Sequence, residues 1–515
     1  MFGILSKPPS RNRDDKRTRC HAVAVCGGQL DIEHHEPTAP RCPSGGEGAD
    51  KHGRTGEPAI EHGRQKAGRQ GESGPRWIEG HRGNTGGRLR RLVEIELGHH
   101  EQGHRVARCR TGSCCSYRTI QRFFATVIPW GLLFWVFFRH HLYCPGDVYL
   151  VAGDDVIVTK AGTCTHGLDR FFASLYGKPV PGVAFFTLSL VSVQARRAFP
   201  LRVEQVVRSE AEKAASKAKA AAKQRKALCA KRRPGRPKGS KNKPKAASTF
   251  TPEVERIAGW LDALLPLIAG VIPLTYVVLD GHFGNANALQ MARQRHLHLI
   301  SKLRYDAALY CPYTEPYAGR GPQRKYGAKV DYDHLPMQYL KETTVEGPIQ
   351  TCISQAQLLH KEFPQPLNVV IIAKTHLRTQ ARAHVVLFSS DLDLAYATLV
   401  DYYGVRFQIE FNFRDAKQYW GLADFMNVTP TGVTNAANLA LFMVNVGYRL
   451  RADVQSRAPD YSVLDLKADC RAYKYVEETI KMLPEKPEPV LLRQILHKVA
   501  GLGRIHASQP SFSFS

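Results

Sequence analysis

Tyr403, Arg406, Glu410 and Lys417 lie in the run Tyr403-Gly-Val-Arg-Phe-Gln-Ile-Glu-Phe-Asn-Phe-Arg-Asp-Ala-Lys417. On an α-helix, which turns about 100° per residue, these four side chains share an arc of about 60°. An aromatic ring, two cations and a carboxylate then line one stripe. Val405, Ile409, Phe413, Ala416 and Trp420 form an apolar stripe on one side, and Phe407 and Phe411 flank the other. Such a stripe suits a partly buried site that handles phosphate and metal. Taken alone, it reads more simply as a surface helix with an Arg406–Glu410 pair. Two acids upstream reverse that reading. Asp155 closes an apolar run that begins at Val148, and Asp280 closes another that begins at Thr275. Acids at strand ends face the open edge of a sheet, where α/β sites form. Asp155, Asp280 and Glu410 together, with no thiolate set, are hard oxygen ligands suited to Mg²⁺ or Mn²⁺. Two such ions per site can clamp an in-line displacement at a phosphodiester: one generates the attacking oxygen and the other stabilises the leaving oxygen. Arg406 and Lys417 would hold phosphate oxygens nearby.

The surrounding pattern supplies elements to position these groups. Residues 183–193 read as a nearly all-apolar, central strand, and 197–203 as a further one. Residues 286–295 fit a helix, and 298–304, 367–373 and 383–388 fit strands. The Tyr403–Lys417 stretch is expected as one helix stopped near Gly421, with a last apolar helix over 435–452. The apolar run 123–138 is short for a membrane span and contains Pro129 and Gly131, so a buried helical segment is expected and no membrane partner.

The chain has 515 residues and a formal charge of +26. A balance that basic points to a polyanionic partner, nucleic acid first. Between Arg208 and Lys245 there are fifteen Lys or Arg against two Glu, a net +13 and half the charge of the chain. The first part of this arm is an Ala/Lys-rich helix former. The second, through Arg233-Pro-Gly-Arg-Pro-Lys238, is punctuated by Pro and Gly and should be extended. The twelve Cys show no Cys-x-x-Cys pair. With no signal-peptide pattern, scattered thiols fit a reducing cytosol. Residues 1–115 are crowded with Gly, Arg and His and lack apolar periodicity. They are expected to be disordered, or read in the wrong frame.

The pattern Tyr-x2-Arg-x3-Glu-x6-Lys resembles the signature of bacterial insertion-sequence DDE transposases of the YREK group. The segment Gly153-Asp-Asp-Val-Ile-Val-Thr-Lys160 resembles that family's first-Asp region, and Leu279-Asp-Gly-His-Phe-Gly284 its second. The resemblance implies an α/β fold: an RNase H-like catalytic core with a β-rich insertion between the second Asp and the Glu. It implies metal-dependent nicking at transposon ends and strand transfer by the freed 3′-OH, in a DNA-associated bacterial cytoplasmic protein that forms a homodimer in the DNA complex. The catalytic and metal-binding residues map to Asp155, Asp280 and Glu410, and the DNA contacts to Tyr403, Arg406 and Lys417. Departures from the family pattern are Val156, where Thr often follows the first Asp, and His282, where an aromatic is common. Val156 leaves Asp154 as a competing ligand. The family's N-terminal helical domain has no visible counterpart in residues 1–115.

The Arg233-Pro-Gly-Arg-Pro-Lys238 element resembles an AT-hook, whose Arg-Pro strip lies in a narrow A·T minor groove; Arg233, Arg236 and Lys238 are its candidate DNA contacts. The expected organisation is therefore 1–115, a disordered or mis-framed region; 116–207 and 249–304, two parts of the core; 208–248, the basic arm; 305–380, the insertion; 381–455, the signature region; and 456–515, a C-terminal tail. The competing reading is a degenerate, catalytically silent relative that binds A·T-rich DNA. A structural basic protein would explain the charge but not the acidic strand ends.

Overall fold

The computed structural model describes residues 117–506, apart from 174–175, 229–249, 317–318, 320–322 and 486. The expectations for residues 1–115 and for Arg233, Arg236 and Lys238 lie outside the described residues. The chain enters through α1 (Tyr117–Ala125) and α2 (Trp130–His141), which meet at 102°. Pro129, at the N-cap of α2, lacks the N–H needed to continue a helix, and it fixes the break. Phe134 and Phe138 are fully buried, as expected for the apolar run. Among the described residues no single helix is long and apolar enough to cross a membrane.

Four strands follow: β1 (Tyr149–Thr159), β2 (Asp169–Ala173), β3 (Lys178–Ser192) and β4 (Arg197–Val206). After helices α3 (Glu210–Leu228) and α4 (Pro252–Ile268) come β5 (Tyr276–Leu279), α5 (Ala286–Arg293) and β6 (His298–Leu303). β3 runs antiparallel to both β1 and β4, while β5 is parallel to β1 and β6 parallel to β5. The resulting order β4-β3-β1-β5-β6, with acids on β1 and just after β5, is compatible with an RNase H-like core. Leu150 to Ala152 and Val277 to Leu279 are fully buried, which explains their near-continuous apolar sequence.

Residues 305–380, expected as an insertion, supply β7 (Leu309–Pro312), β8 (Tyr326–Lys329), β9 (Leu340–Glu346), β10 (Ile349–His360) and β11 (Leu367–His376). They are joined to the core sheet through β12 (Arg382–Ser389), which pairs with β6 on one side and β11 on the other. One mixed sheet of twelve strands results. The remaining helices are α6 (Tyr396–Val405), α7 (Gln408–Tyr419), α8 (Pro430–Gln455), α9 (Val463–Lys481) and α10 (Pro489–Leu502). The last two occupy the stretch expected as a tail. They are tied together by the buried Asp465, which accepts from Ser462, Ile505 and His506, and by Asp469, which takes two bonds from Arg504.

The sheet ends at β4 on this flank, and its free carbonyls are buried. Asparagines satisfy them. Asn412 donates to Ala198 O, Asn445 to Pro200 O and Asn438 to Val203 O, at 2.9, 2.9 and 3.2 Å. Asn435 closes the break between α1 and α2. Its amide donates to Phe123 O and Thr126 O, and its oxygen accepts from the Trp130 indole at 2.8 Å. A buried polar group left unpaired is costly, so these side chains seal a strand edge that would otherwise be exposed to pairing or water. Asn435→Ala strands an indole N–H and at least two carbonyls, and should cost about 3 kcal/mol in urea unfolding. A loss under about 1 kcal/mol would show that the amide is dispensable.

Candidate active site

Asp154 and Asp155 sit in the middle of β1, which runs on to Thr159 rather than ending at Asp155. Neighbouring residues of a strand point to opposite faces, so the two carboxylates serve different surroundings. The β1–β5 register places Gly153 beside Leu279. One step further along, Asp280 comes level with Asp154. A Cβ on Gly153 would lie 2.7 Å from the Phe186 ring and 2.9 Å from Leu279, so glycine is what allows the strands to close here. Asp280 follows β5 directly, as expected, and starts a short 3₁₀ turn whose His282 N–H it accepts. Its own carbonyl accepts from the Ser301 hydroxyl at 2.7 Å. Ser301 is fully buried on β6, and nothing in its sequence context signals this role.

The Tyr403–Lys417 stretch is not one regular helix. α6 ends at Val405 and α7 starts at Gln408. Arg406 and Phe407 keep right-handed helical dihedrals, but Phe407 N bonds Gly404 O and Glu410 N bonds Phe407 O, a switch to i→i+3 pairing. The tightened turn swings Arg406 onto β1. Its Nη1 meets Asp154 Oδ2 at 2.5 Å, with the two side chains 11% and 16% exposed. Arg406 Nε is buried without a hydrogen-bond partner, and the guanidinium lies 5.7 Å from the centre of the Tyr403 ring. Lys417 Nζ donates to Ile157 O at 2.9 Å. The expected DNA contacts Arg406 and Lys417 are thus spent, in this structure, on fastening α7 to β1.

Electrostatics separates the acids. Burial pushes the Asp154 carboxyl up, Arg406 offsets part of this, and Asp280 adds to it. Burial opposes the Arg406 charge, but Asp154, Tyr403 and Asp280 together outweigh it and raise the guanidinium above its usual value. Glu410, exposed in the first turn of α7, is raised by burial of its carboxyl and then by Asp154. Asp155 is different. One side of the residue is open to solvent, yet partial burial in a cavity, followed by the charges of Asp154, Asp280 and Glu253, pushes its carboxyl up to about 6. That cavity of about 420 Å³ is lined by Asp155, Asp280, His282, Glu253, Arg256 and Trp260, among others. His282 and Glu253 are paired at 2.9 Å, which raises the imidazole and lowers the carboxyl. Glu253 was missed in the sequence. Its signal is the Thr251-Pro252 helix start, where Thr251 caps α4.

The structure therefore sets Asp280 level with Asp154, which also acts on Glu410, while Asp155 shares a cavity with Asp280. Among the described residues no three His, Cys, Asp or Glu side chains sit at metal-ligand spacing. The donor chemistry nonetheless fits a hard divalent cation: carboxylates only, in excess over nearby cations, with Asp155 carrying no cationic side-chain partner.

These environments give a stability test. Asp155 has a raised folded-state value, so its contribution is favourable below about pH 4 and is lost as pH rises through about 6. Asp155→Asn should therefore stabilise the metal-free protein at pH 7 by about 1 kcal/mol, after discounting for solvent screening, and the gain should fade towards pH 4. Asp154→Ala strands a buried guanidinium and should cost about 3 kcal/mol. Equal effects from the two substitutions in thermal melts would refute this division of roles.

Residues 105–357 match the family model described as DDE superfamily endonuclease. The match covers just under half of the chain, includes Asp155 and Asp280, and stops before Glu410. No match is found among curated proteins. The family match supports a DDE transposase-like protein with coarse nuclease character, a DNA substrate and the divalent-metal dependence general to such nucleases.

Proposed function

We propose that this chain is an insertion-sequence transposase of the YREK type, which cleaves DNA at transposon ends and joins the freed 3′ end to target DNA. The observation that carries this reading is the placement of Asp154 and Asp155 beside Asp280, where the parallel β1–β5 contact ends and a cavity holds Asp155 with Asp280, next to an arginine-anchored helix bearing Glu410. In it, Asp155, Asp280 and Glu410 hold the metal, with two Mg²⁺ or Mn²⁺ ions as the working number. Bound there, the metal would activate the attacking oxygen and neutralise charge at the phosphodiester.

The protein's own groups do the rest. Asp155 must be ionised to serve as a ligand, so its raised carboxyl makes metal affinity fall as pH drops through about 6. Asp154 anchors Arg406 and so sets where Glu410 stands. Lys417 holds α7 to the strand that carries both aspartates. Tyr403, Arg406 and Lys417 contact the DNA end in this reading, which requires the guanidinium and the ammonium to exchange their present partners for phosphate oxygens. The basic arm, with Arg233, Arg236 and Lys238 as an AT-hook-like strip, adds affinity for A·T-rich duplex, and two copies of the chain hold two ends.

A second reading, a relative that binds DNA without cutting it, draws on Glu410 interacting with Asp154 and on the lack, among the described residues, of three side chains at metal-ligand spacing. One experiment decides between them. Supercoiled DNA is incubated with the wild type and with Asp155→Ala, Asp280→Ala and Glu410→Ala in Mg²⁺, then in Mn²⁺. Each single loss should lower nicking by about 10³-fold or more, without adding when combined, while DNA binding persists. Wild-type protein that binds but never nicks would favour the silent relative. Nicking that survives Asp155→Ala but not Asp154→Ala would reverse the ligand assignment.

A further inference from the structure

Helix α3 is an unusual object. Its 19 residues, Glu210–Leu228, are mostly Ala and Lys. From Ala214 to Ala218 every residue is exposed. A helix of this kind has little tertiary packing to direct it. Its root, however, is fastened from three sides. Glu212 Oε2 accepts from Ser209 N at 2.8 Å while Ser209 Oγ accepts from Glu212 N at 3.2 Å, a reciprocal N-terminal cap. The other oxygen of Glu212 meets Arg256 Nη1 at 2.8 Å, in a pair only 21% and 25% exposed. Next to the cap, the Arg208 guanidinium lies 4.5 Å from the centre of the Phe171 ring and donates to Arg170 O at 3.1 Å.

Arg256 belongs to the second turn of α4, 44 residues after Glu212. The Glu212–Arg256 pair therefore joins the two ends of the long basic segment across its neck. The same first turns of α4 carry Glu253, paired with His282 beside Asp280. Arg208, Glu212 and Arg256 line the 420 Å³ cavity that contains Asp155 and Asp280. A second cavity of about 870 Å³ shares Arg208, Glu212, Glu253 and His282 and extends past Ser216 of α3 to Lys361. A solvated linker needs no half-buried ion pair at its neck. A helix that must point in one direction does.

We propose that Glu212 and Arg256 are positioning residues: they clasp the neck of the basic segment and aim α3 along the groove leading from the acidic cavity, so that one duplex DNA is held by α3 and by the core at once. The proposal rests on the DNA-cleaving reading for its choice of partner, and its physical content is avidity. A rigidly aimed second site raises effective concentration; a freely swinging one forfeits much of that gain. α3 is about 28 Å long, or about eight base pairs of duplex. A stem of that length can occupy α3 or the core but not both, whereas a duplex of about 25 base pairs spans both.

The test uses the full chain and compares its affinities for these two DNAs by fluorescence anisotropy at fixed salt. Glu212→Arg and Arg256→Glu should each reduce the long-to-short affinity ratio by about tenfold. The double swap Glu212→Arg with Arg256→Glu restores the pair with reversed polarity, and it should recover most of the ratio. Taking the ratio removes the generic effect of added or lost charge. Glu212→Gln and Arg256→Gln are milder versions, expected to shift the ratio in the same direction, and they carry the test if a reversed charge prevents folding. Ratios unchanged in every variant, or a double swap no better than its parents, overturn the clasp. Nicking of the long duplex is followed in parallel. A wild type that fails to nick, yet shows the ratio pattern, removes the enzymatic reading and leaves the clasp standing.

Discussion

The contact between Arg406 and Asp154 joins the two halves of the site. It links the middle of the first strand to the tight turn between α6 and α7, 252 residues later, and both side chains are largely removed from water. A charge so placed must be paired, because an uncompensated buried ion costs several kcal/mol. The pairing fixes how α7 lies on β1, and Lys417 repeats the attachment eleven residues on, at Ile157 O. It also divides two adjacent aspartates by role. Asp154 is paired with the Arg406 guanidinium. Asp155, on the opposite face of the strand, keeps its negative charge facing a cavity it shares with Asp280 and Glu253.

Much of this arrangement was legible in the sequence. The apolar runs before Asp155 and Asp280 are strands because both faces are covered, and Asp280 does stand where its run ends. The stripe containing Tyr403, Arg406, Glu410 and Lys417 was visible from spacing alone. Its interruption was not. Helical spacing cannot distinguish an i→i+4 ladder from a local i→i+3 turn, and the difference at Gly404–Glu410 depends on Arg406 finding Asp154. The end of β1 was misplaced for a related reason. Two charged residues look like a strand terminus, yet in the structure Asp155 to Thr159 continue to pair with β3.

Other features left almost no trace in the sequence. Asn412, Asn438 and Asn445 read as ordinary polar positions on helices, and only the packed structure shows them facing carbonyls of β4. Ser301 and Glu253 matter through partners far away in sequence, so periodicity carries no information about them. The residues expected as a β-rich insertion are strands that continue the core sheet, because β12 pairs with both β6 and β11, and that continuity is not a local property of sequence. In the C-terminal stretch, the Ser462–Asp465 capping box was a local signal of a helix start, overlooked when residues 456–515 were read as a tail.

The central claim is that Asp155, Asp280 and Glu410 surround one divalent-metal site, although the present geometry places Glu410 nearer Asp154. The most direct measurement replaces Mg²⁺ with Fe²⁺ in the DNA-bound protein and maps where locally generated hydroxyl radicals cut the polypeptide. The account predicts three clusters of cuts, around residues 153–157, 279–283 and 408–412, all suppressed by excess Mg²⁺. Cuts confined to the first two clusters would place Glu410 outside the site, and cuts that Mg²⁺ does not suppress would contradict a metal site there altogether.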